Sequence, residues 1–245
     1  MHRFFLSTTI ALNETNRLLI EKSQYPDLLH QLVNVLRIER GTELIFFDAT
    51  RTEYHVQLIE FNKNQLDFLV IDQAVVDKEL PFELCLAQAI PHTTEKWEWL
   101  LQKGTELGVT KFIPLLTHRT QRQHLPKMER MKKIMTEAVE QCGRTVIPTV
   151  AAPLKLADLA GLGTVVFASL QGTEALDQVL RDQSPISKLI ICIGPEGGFS
   201  GEEEQTLITN QALPYSLGKR VLRLETAALA SISIATLLEF PHSRI

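Results

Sequence analysis

The sequence predicts an α/β protein in two parts: a small β-barrel carrying one helix over 1–73, then a parallel-sheet domain with crossover helices over 74–245. Three observations carry this. Runs of β-branched and aromatic residues separated by turns crowd the first seventy positions. Short apolar runs then alternate with helical segments over the rest of the chain. Between them, 72–81 lacks apolar periodicity and ends in Pro81, which marks the boundary.

Taken in order, a helix is predicted over 26–36, because Pro26 suits a first turn and Gly41 stands beyond its end. Strands follow at 43–47, 53–59 and 65–71, with turns at 48–52 and 62–64. The second part opens with a strand at 82–87 and has further strands at 111–116, 164–168 and 189–193. Helices over 94–107 and 127–142 are closed by Gly108 and Gly143. The last helix, 228–238, is apolar nearly all round, so both its faces must be covered.

At 245 residues and 44% hydrophobic content, the chain can bury a proper core. The opening apolar run is too short for a signal peptide, and nowhere do eighteen apolar residues follow one another, which predicts a soluble cytoplasmic protein. Cys85, Cys142 and Cys192 are widely spaced and form no metal or disulfide motif; Cys85 and Cys192 read as strand core. A net charge of −4 argues against coating nucleic acid non-specifically. A local basic stretch is nevertheless present: Lys111, Arg119, Arg122, Lys127, Arg130, Lys132 and Lys133 face the single acid Glu129, a lopsidedness that points to RNA.

Two loops carry the ligand signal. In the first, the strand 189–193 runs into Gly194-Pro195-Glu196-Gly197-Gly198, and Ser200 and Glu203 have the capping-box spacing of a helix start. Glycines there let a backbone approach a ligand closely. Glu202, Glu203 and Glu204 would repel phosphate from that helix end, and neither phosphate-binding glycine motif occurs, so a nucleotide-dependent α/β enzyme is disfavoured. The second loop is 217–227, running into the last helix.

Together, "IGPEGGFS..E" at 193–203 and "LG.RVLRLETA" at 217–227 resemble the bacterial ribosomal RNA uracil-N3 methyltransferases of the SPOUT class. "EW.LQKGTELGV" at 98–109, "EAVEQCGR...P" at 137–148 and "H..VLR...G" from His30 through Arg37 to Gly41 extend the likeness to most of the chain. Family members often carry a lysine before the first of these helices, where this chain has Thr93 or a neighbour. The resemblance implies a trefoil-knotted methyltransferase domain preceded by a PUA-like RNA-binding barrel, acting as a homodimer on 16S ribosomal RNA, in an assembled small subunit. Ordinary topology rules would exclude a knot, so it is implied by likeness alone. It also implies S-adenosylmethionine, held between a first wall of Gly194, Glu196, Gly197 and Gly198, a second of Leu217, Gly218, Val221, Leu222 and Leu224, and a third around Leu170. RNA contacts are assigned to Arg3, Arg37, Arg119, Arg122 and Gln141.

Uracil N3 must lose its imide proton before attacking a sulfonium methyl group, and the charge then spreads onto the flanking carbonyl oxygens. Arg144 or Arg223 suits that charge and Glu140 or Glu225 suits the proton, and spacing does not choose among them. Methyl transfer from a sulfonium requires no metal, and none is expected. Two other readings stay open: another SPOUT RNA methyltransferase, acting on a ribose hydroxyl or a different base, and a catalytically silent RNA-binding protein.

Overall fold

Alternation of apolar residues along neighbouring strands dictates the amino-terminal sheet. In the computed structural model, which describes residues 1–12, 15–120, 124–183 and 185–238, the chain divides into two compact units. The first comprises Met1–Lys78 together with Val139–Val146. Its strands are β1 (Arg3–Phe5), β2 (Arg17–Glu21), β3 (Glu43–Phe47), β4 (Thr52–Phe61) and β5 (Gln65–Val75), in the order β1-β3-β4-β5-β2. Only β1 and β3 run parallel; the other pairs are antiparallel. Tyr54, Val56 and Leu58 of β4 and Leu66, Phe68 and Val70 of β5 point to one buried face. Register shifts at His55/Val56 and Leu58/Glu60 curl the sheet around that face, giving the barrel-like form.

Strands β1 and β2 add to the three predicted from sequence, and two predicted elements differ in form or extent. The helix predicted over 26–36 is α-helical only in α1 (Pro26–His30) and continues as a π-helical turn over Gln31–Val35, after which Arg37 takes a positive φ of 52°. The strand predicted over 65–71 runs four residues further, because Asp72, Gln73, Ala74 and Val75 pair with 52–55 of β4 although all four are exposed. Ladder hydrogen bonds there override the missing apolar period.

The second unit comprises Glu79–Ala138 and the chain from Ile147 onward. Its strands are β6 (Glu83–Ala89), β7 (Lys111–Leu116), β8 (Thr149–Val150), β9 (Leu154–Lys155), β10 (Thr164–Ala168), β11 (Lys188–Ile193) and β12 (Leu213–Tyr215). All pairings are parallel, in the order β12-β10-β11-β6-β7-β8, with β9 also on β7. Helices α2 (Thr94–Glu106), α4 (Leu176–Asp182) and α6 (Leu224–Leu238), with the first turns of α3 (Met128–Cys142), cover one face; α5 (Gly201–Thr209) and a 3-10 turn at Leu156–Leu159 cover the other. Sheet strands covered on both sides read as continuous apolar runs, which is why β6 and β11 are buried almost throughout. Cys85 and Cys192 lie fully buried in this sheet.

Burial in α2 follows the predicted face: Trp97, Leu100 and Leu101 are enclosed, and the Trp97 indole donates to Met131 Sδ at 3.3 Å. Gly104 lies so close to β7 that a Cβ would stand 2.7 Å from the Phe112 ring, so only glycine permits this helix–strand approach. Because the strands are parallel, their carboxyl ends all open on one edge, where ligands of such sheets sit.

Candidate functional site

Three loops leave that edge side by side, after β10, β11 and β12, and enclose a cavity of about 520 Å³. After β11 come Gly194, Glu196, Gly197 and Gly198; after β12 come Leu217, Gly218, Val221, Leu222 and Leu224; after β10 comes Leu170. All ten residues assigned to the three walls thus line one space, although up to 54 positions separate them. Gly198 and Gly218 have φ of +69° and +97°, with nothing within 4 Å of where a Cβ would be, so these walls are bare backbone turned toward the cavity.

The glycine loop is held from several sides. Ser200 caps α5: its hydroxyl accepts from Glu203 N at 3.2 Å while Glu203 accepts from Ser200 N at 2.8 Å, completing the predicted capping box. Buried Glu203 also accepts from His118 N at 2.7 Å, and Ser169 Oγ donates to Glu204 at 3.0 Å, so two of the three acids at this helix start are engaged within the protein. Arg119 donates to the carbonyl of Gly197. Beneath the loop, fully buried Gln88 on β6 donates to Ala89 O at 3.0 Å and leans on the carbonyls of Ile193 and Gly194 at 3.5 and 3.4 Å.

Of the residues considered for the chemistry, Arg223 lines the cavity, and Glu225 stands in the first turn of α6 with Oε2 buried and without a hydrogen-bond partner. Glu140 and Arg144 belong to the first unit. There Glu140 accepts from Phe5 N at 2.9 Å, and Arg144 is 3% exposed, its carbonyl accepting from Arg3. Arg3 is enclosed as well: it pairs with Glu53, donates to Val139 O and Glu140 O at 3.1 Å each, and lies 4.6 Å over the Phe47 ring. Arg37, Arg119 and Gln141 are exposed; Arg122 lies outside the described residues.

Lys96 was missed by the sequence reading. It lines the cavity, donates to Glu196 Oε1 at 2.9 Å and lies 3.9 Å from Glu225 Oε2. Thr93, where the family pattern suggested a lysine, is instead the cap of α2 and accepts from Lys96 N. Three residues of spacing therefore set the cation inside the site, a displacement that only helix geometry reveals. Burial pushes the Glu196 carboxyl up, but the hydrogen bond from Lys96 and backbone amides including that of His92 outweigh it, leaving it below the ordinary value. Aliphatic walls, bare loop backbone for a ligand's polar edge, and charges of both signs, Glu196 against Lys96, Arg220 and Arg223, fit a ligand with an apolar body and charged ends.

A family model described as an RNA methyltransferase domain matches residues 78–236. The chain is 32% identical over 219 residues to the ribosomal RNA small subunit methyltransferase E of Bacillus subtilis (strain 168), which covers 84% of this chain and 85% of that protein. This chain belongs to that methyltransferase family. A second family member, from Synechocystis sp. (strain ATCC 27184 / PCC 6803 / Kazusa), is 33% identical over 219 residues, covering 86% of this chain and 71% of that one. The crystal structure of the methyltransferase E from Neisseria gonorrhoeae, bound to S-adenosyl methionine, superposes with a TM-score of 0.82 at 27% identity, covering 97% of this chain and 98% of that one. The likeness to the Neisseria methyltransferase thus extends over both units.

Proposed function

We propose that this chain is an S-adenosylmethionine-dependent methyltransferase acting on N3 of a uridine in 16S ribosomal RNA. The observation that carries it is the convergence of three loops on one cavity at the carboxyl edge of the parallel sheet, in a member of the methyltransferase E family. When bound, S-adenosylmethionine supplies a methyl group on sulfonium: the N3–C bond forms as the S–C bond breaks, and that electron pair stays on sulfur. The chain's own part is placement. Leu217, Leu222 and Leu170 would hold the cofactor's apolar body, the 194–198 backbone its polar edge, and Glu196 would balance its positive charge. Aligning nitrogen, carbon and sulfur provides most of the rate. Arg223, at the cavity wall, is the arginine for the developing charge, and Glu225 the carboxylate for the proton.

In this reading the barrel unit, with exposed Arg37, and the exposed Arg119 and Gln141 contact RNA. N3 lies on the Watson–Crick edge, so a paired target must be unpaired or flipped first. A second copy covers Leu170 and Val221, which are 76% and 78% exposed at the cavity mouth, giving a homodimer. No helix among the described residues is long and apolar enough to cross a membrane, in keeping with action on cytoplasmic ribosomes. The test is transfer of labelled methyl from S-adenosylmethionine to small subunits lacking the modification, with the nucleoside identified by mass spectrometry. N3-methyluridine is expected; a different methylated nucleoside moves the substrate, and no transfer with the cofactor bound to an intact assembled subunit overturns the reading.

A further inference from the structure

Beside the cavity lies a second space of about 640 Å³ on the same sheet edge. It is built by the loops after β6 and β7, contributing His92 and Thr93 from one and His118, Arg119 and Thr120 from the other. Lys96, Glu196 and Gly197 line both spaces and so form their common wall. Its lining residues are mostly polar or charged, with Lys96 and Arg119 against the single carboxylate of Glu196, and two exposed histidines. These groups are fixed: His92 N donates to Glu196 at 3.3 Å, His118 Nδ1 lies 3.3 Å from Ser200 Oγ, and Arg119 is bonded to the Gly197 carbonyl. The strand order explains the adjacency: β10, β11 and β12 supply the first space, while the neighbouring β6 and β7 supply the second.

We propose that this second cleft seats the target uridine, its phosphate at the His118–Arg119 rim and its base toward the common wall, where Lys96 balances the charge on uracil as N3 ionises. The inference rests on the methyl-transfer reading of the neighbouring cavity. A cation lining both spaces is what the reaction needs at the boundary between a methyl donor and its acceptor. When the N3–H bond breaks, the proton passes to the Glu225 carboxylate, which stands 3.9 Å from the Lys96 amino group. The electron pair left on the imide spreads to O2 and O4, and it then forms the bond to the methyl carbon. An ammonium at one of those oxygens favours the ionised imide. Lys96 is suited because Glu196 and Glu225 hold its amino group at 2.9 and 3.9 Å, leaving a donor for the base.

Three measurements test this on the full-length protein. Uridine 5′-monophosphate is titrated in with S-adenosylmethionine present, reading the ring resonances of His92 and His118. Both should shift, more than with adenosine 5′-monophosphate, and Arg119→Gln should weaken the response. Lys96→Met should keep the wild-type circular dichroism and unfolding midpoint, while kcat on small subunits, read with S-adenosylmethionine saturating, falls by about 100-fold. Its rate should recover as pH rises and uracil ionises unaided, and Lys96→Arg should restore part of it at neutral pH. If the histidines do not respond while the cofactor binds, the cleft is not the nucleotide seat. Unchanged kcat in Lys96→Met, or a loss confined to KM, overturns the role of Lys96. Failure of wild type to bind S-adenosylmethionine overturns the reading of the first cavity and this inference together.

Discussion

At the residue scale, the walls of the cavity work by what they lack. Gly197 has room for a Cβ only 3.2 Å from the Arg119 side chain, and anything longer enters the cavity or displaces the guanidinium that holds the loop. Gly197→Arg is therefore expected to weaken S-adenosylmethionine binding by at least about 100-fold in calorimetry, roughly 2.7 kcal/mol. Near-native binding would place the ligand elsewhere. Glu196 offers a second check. Its carboxyl is depressed below the ordinary value near 4.5, so the pair with Lys96 stabilises the folded loop above that value and is lost as pH falls through the lower, folded one. A carboxyl-carbon titration should find its midpoint below that of a free glutamate. In Lys96→Met it should rise, because burial, the largest opposing influence, loses its main counterweight. A midpoint that does not move would mean the ion pair is absent in solution.

At the scale of elements, local signals were readable wherever the cause is local. The Ser200–Glu203 box was legible because capping needs only two side chains three residues apart, and both halves form. Ser200→Ala should cost about 1 kcal/mol in denaturant-induced unfolding, read as a lower midpoint with an unchanged slope. No loss would mean that the contacts of Glu203 with the β7 loop carry the helix start unaided. Where the cause is not local, the sequence pattern misleads. The turn at Gln31–Val35 leaves α-geometry although Gln31 and Leu32 are good helix formers, and β5 continues through Asp72–Val75 because β4 supplies partners. Lys96 belongs here as well, since its place follows from where Thr93 starts α2.

For the molecule as a whole, the sheet of the second unit is covered on both faces. Cys85 and Cys192 lie inside it, and burial pushes both thiols up, Cys85 to about 12 with the nearby Glu83 adding to the effect. Cys142, on α3, is partly exposed. An alkylating reagent at pH 8 should label Cys142 alone in the native protein, with Cys85 and Cys192 reacting on unfolding, as resolved by peptide mass mapping. Native labelling of Cys192 would mean that the centre of the sheet opens. The segment Val139–Val146 also belongs to this scale: it groups with residues more than sixty positions away, through Arg3 and Phe5, and no local pattern announces that.

By itself the sequence determined the fold class, the strands that bury on both faces, the capped start of α5 and the two loops with the bare glycines, because each depends on residue type and short spacing. Tertiary structure alone decided that Glu140 and Arg144 sit with the barrel strands and that Lys96 lines two adjoining spaces, whereas Leu170 was expected beside those loops from resemblance and lines the same cavity. The physical reason is the parallel sheet. Its hydrogen-bonding order brings the ends of β10, β11 and β12 together, and β6 and β7 beside them, and that order is not written at any one position along the chain.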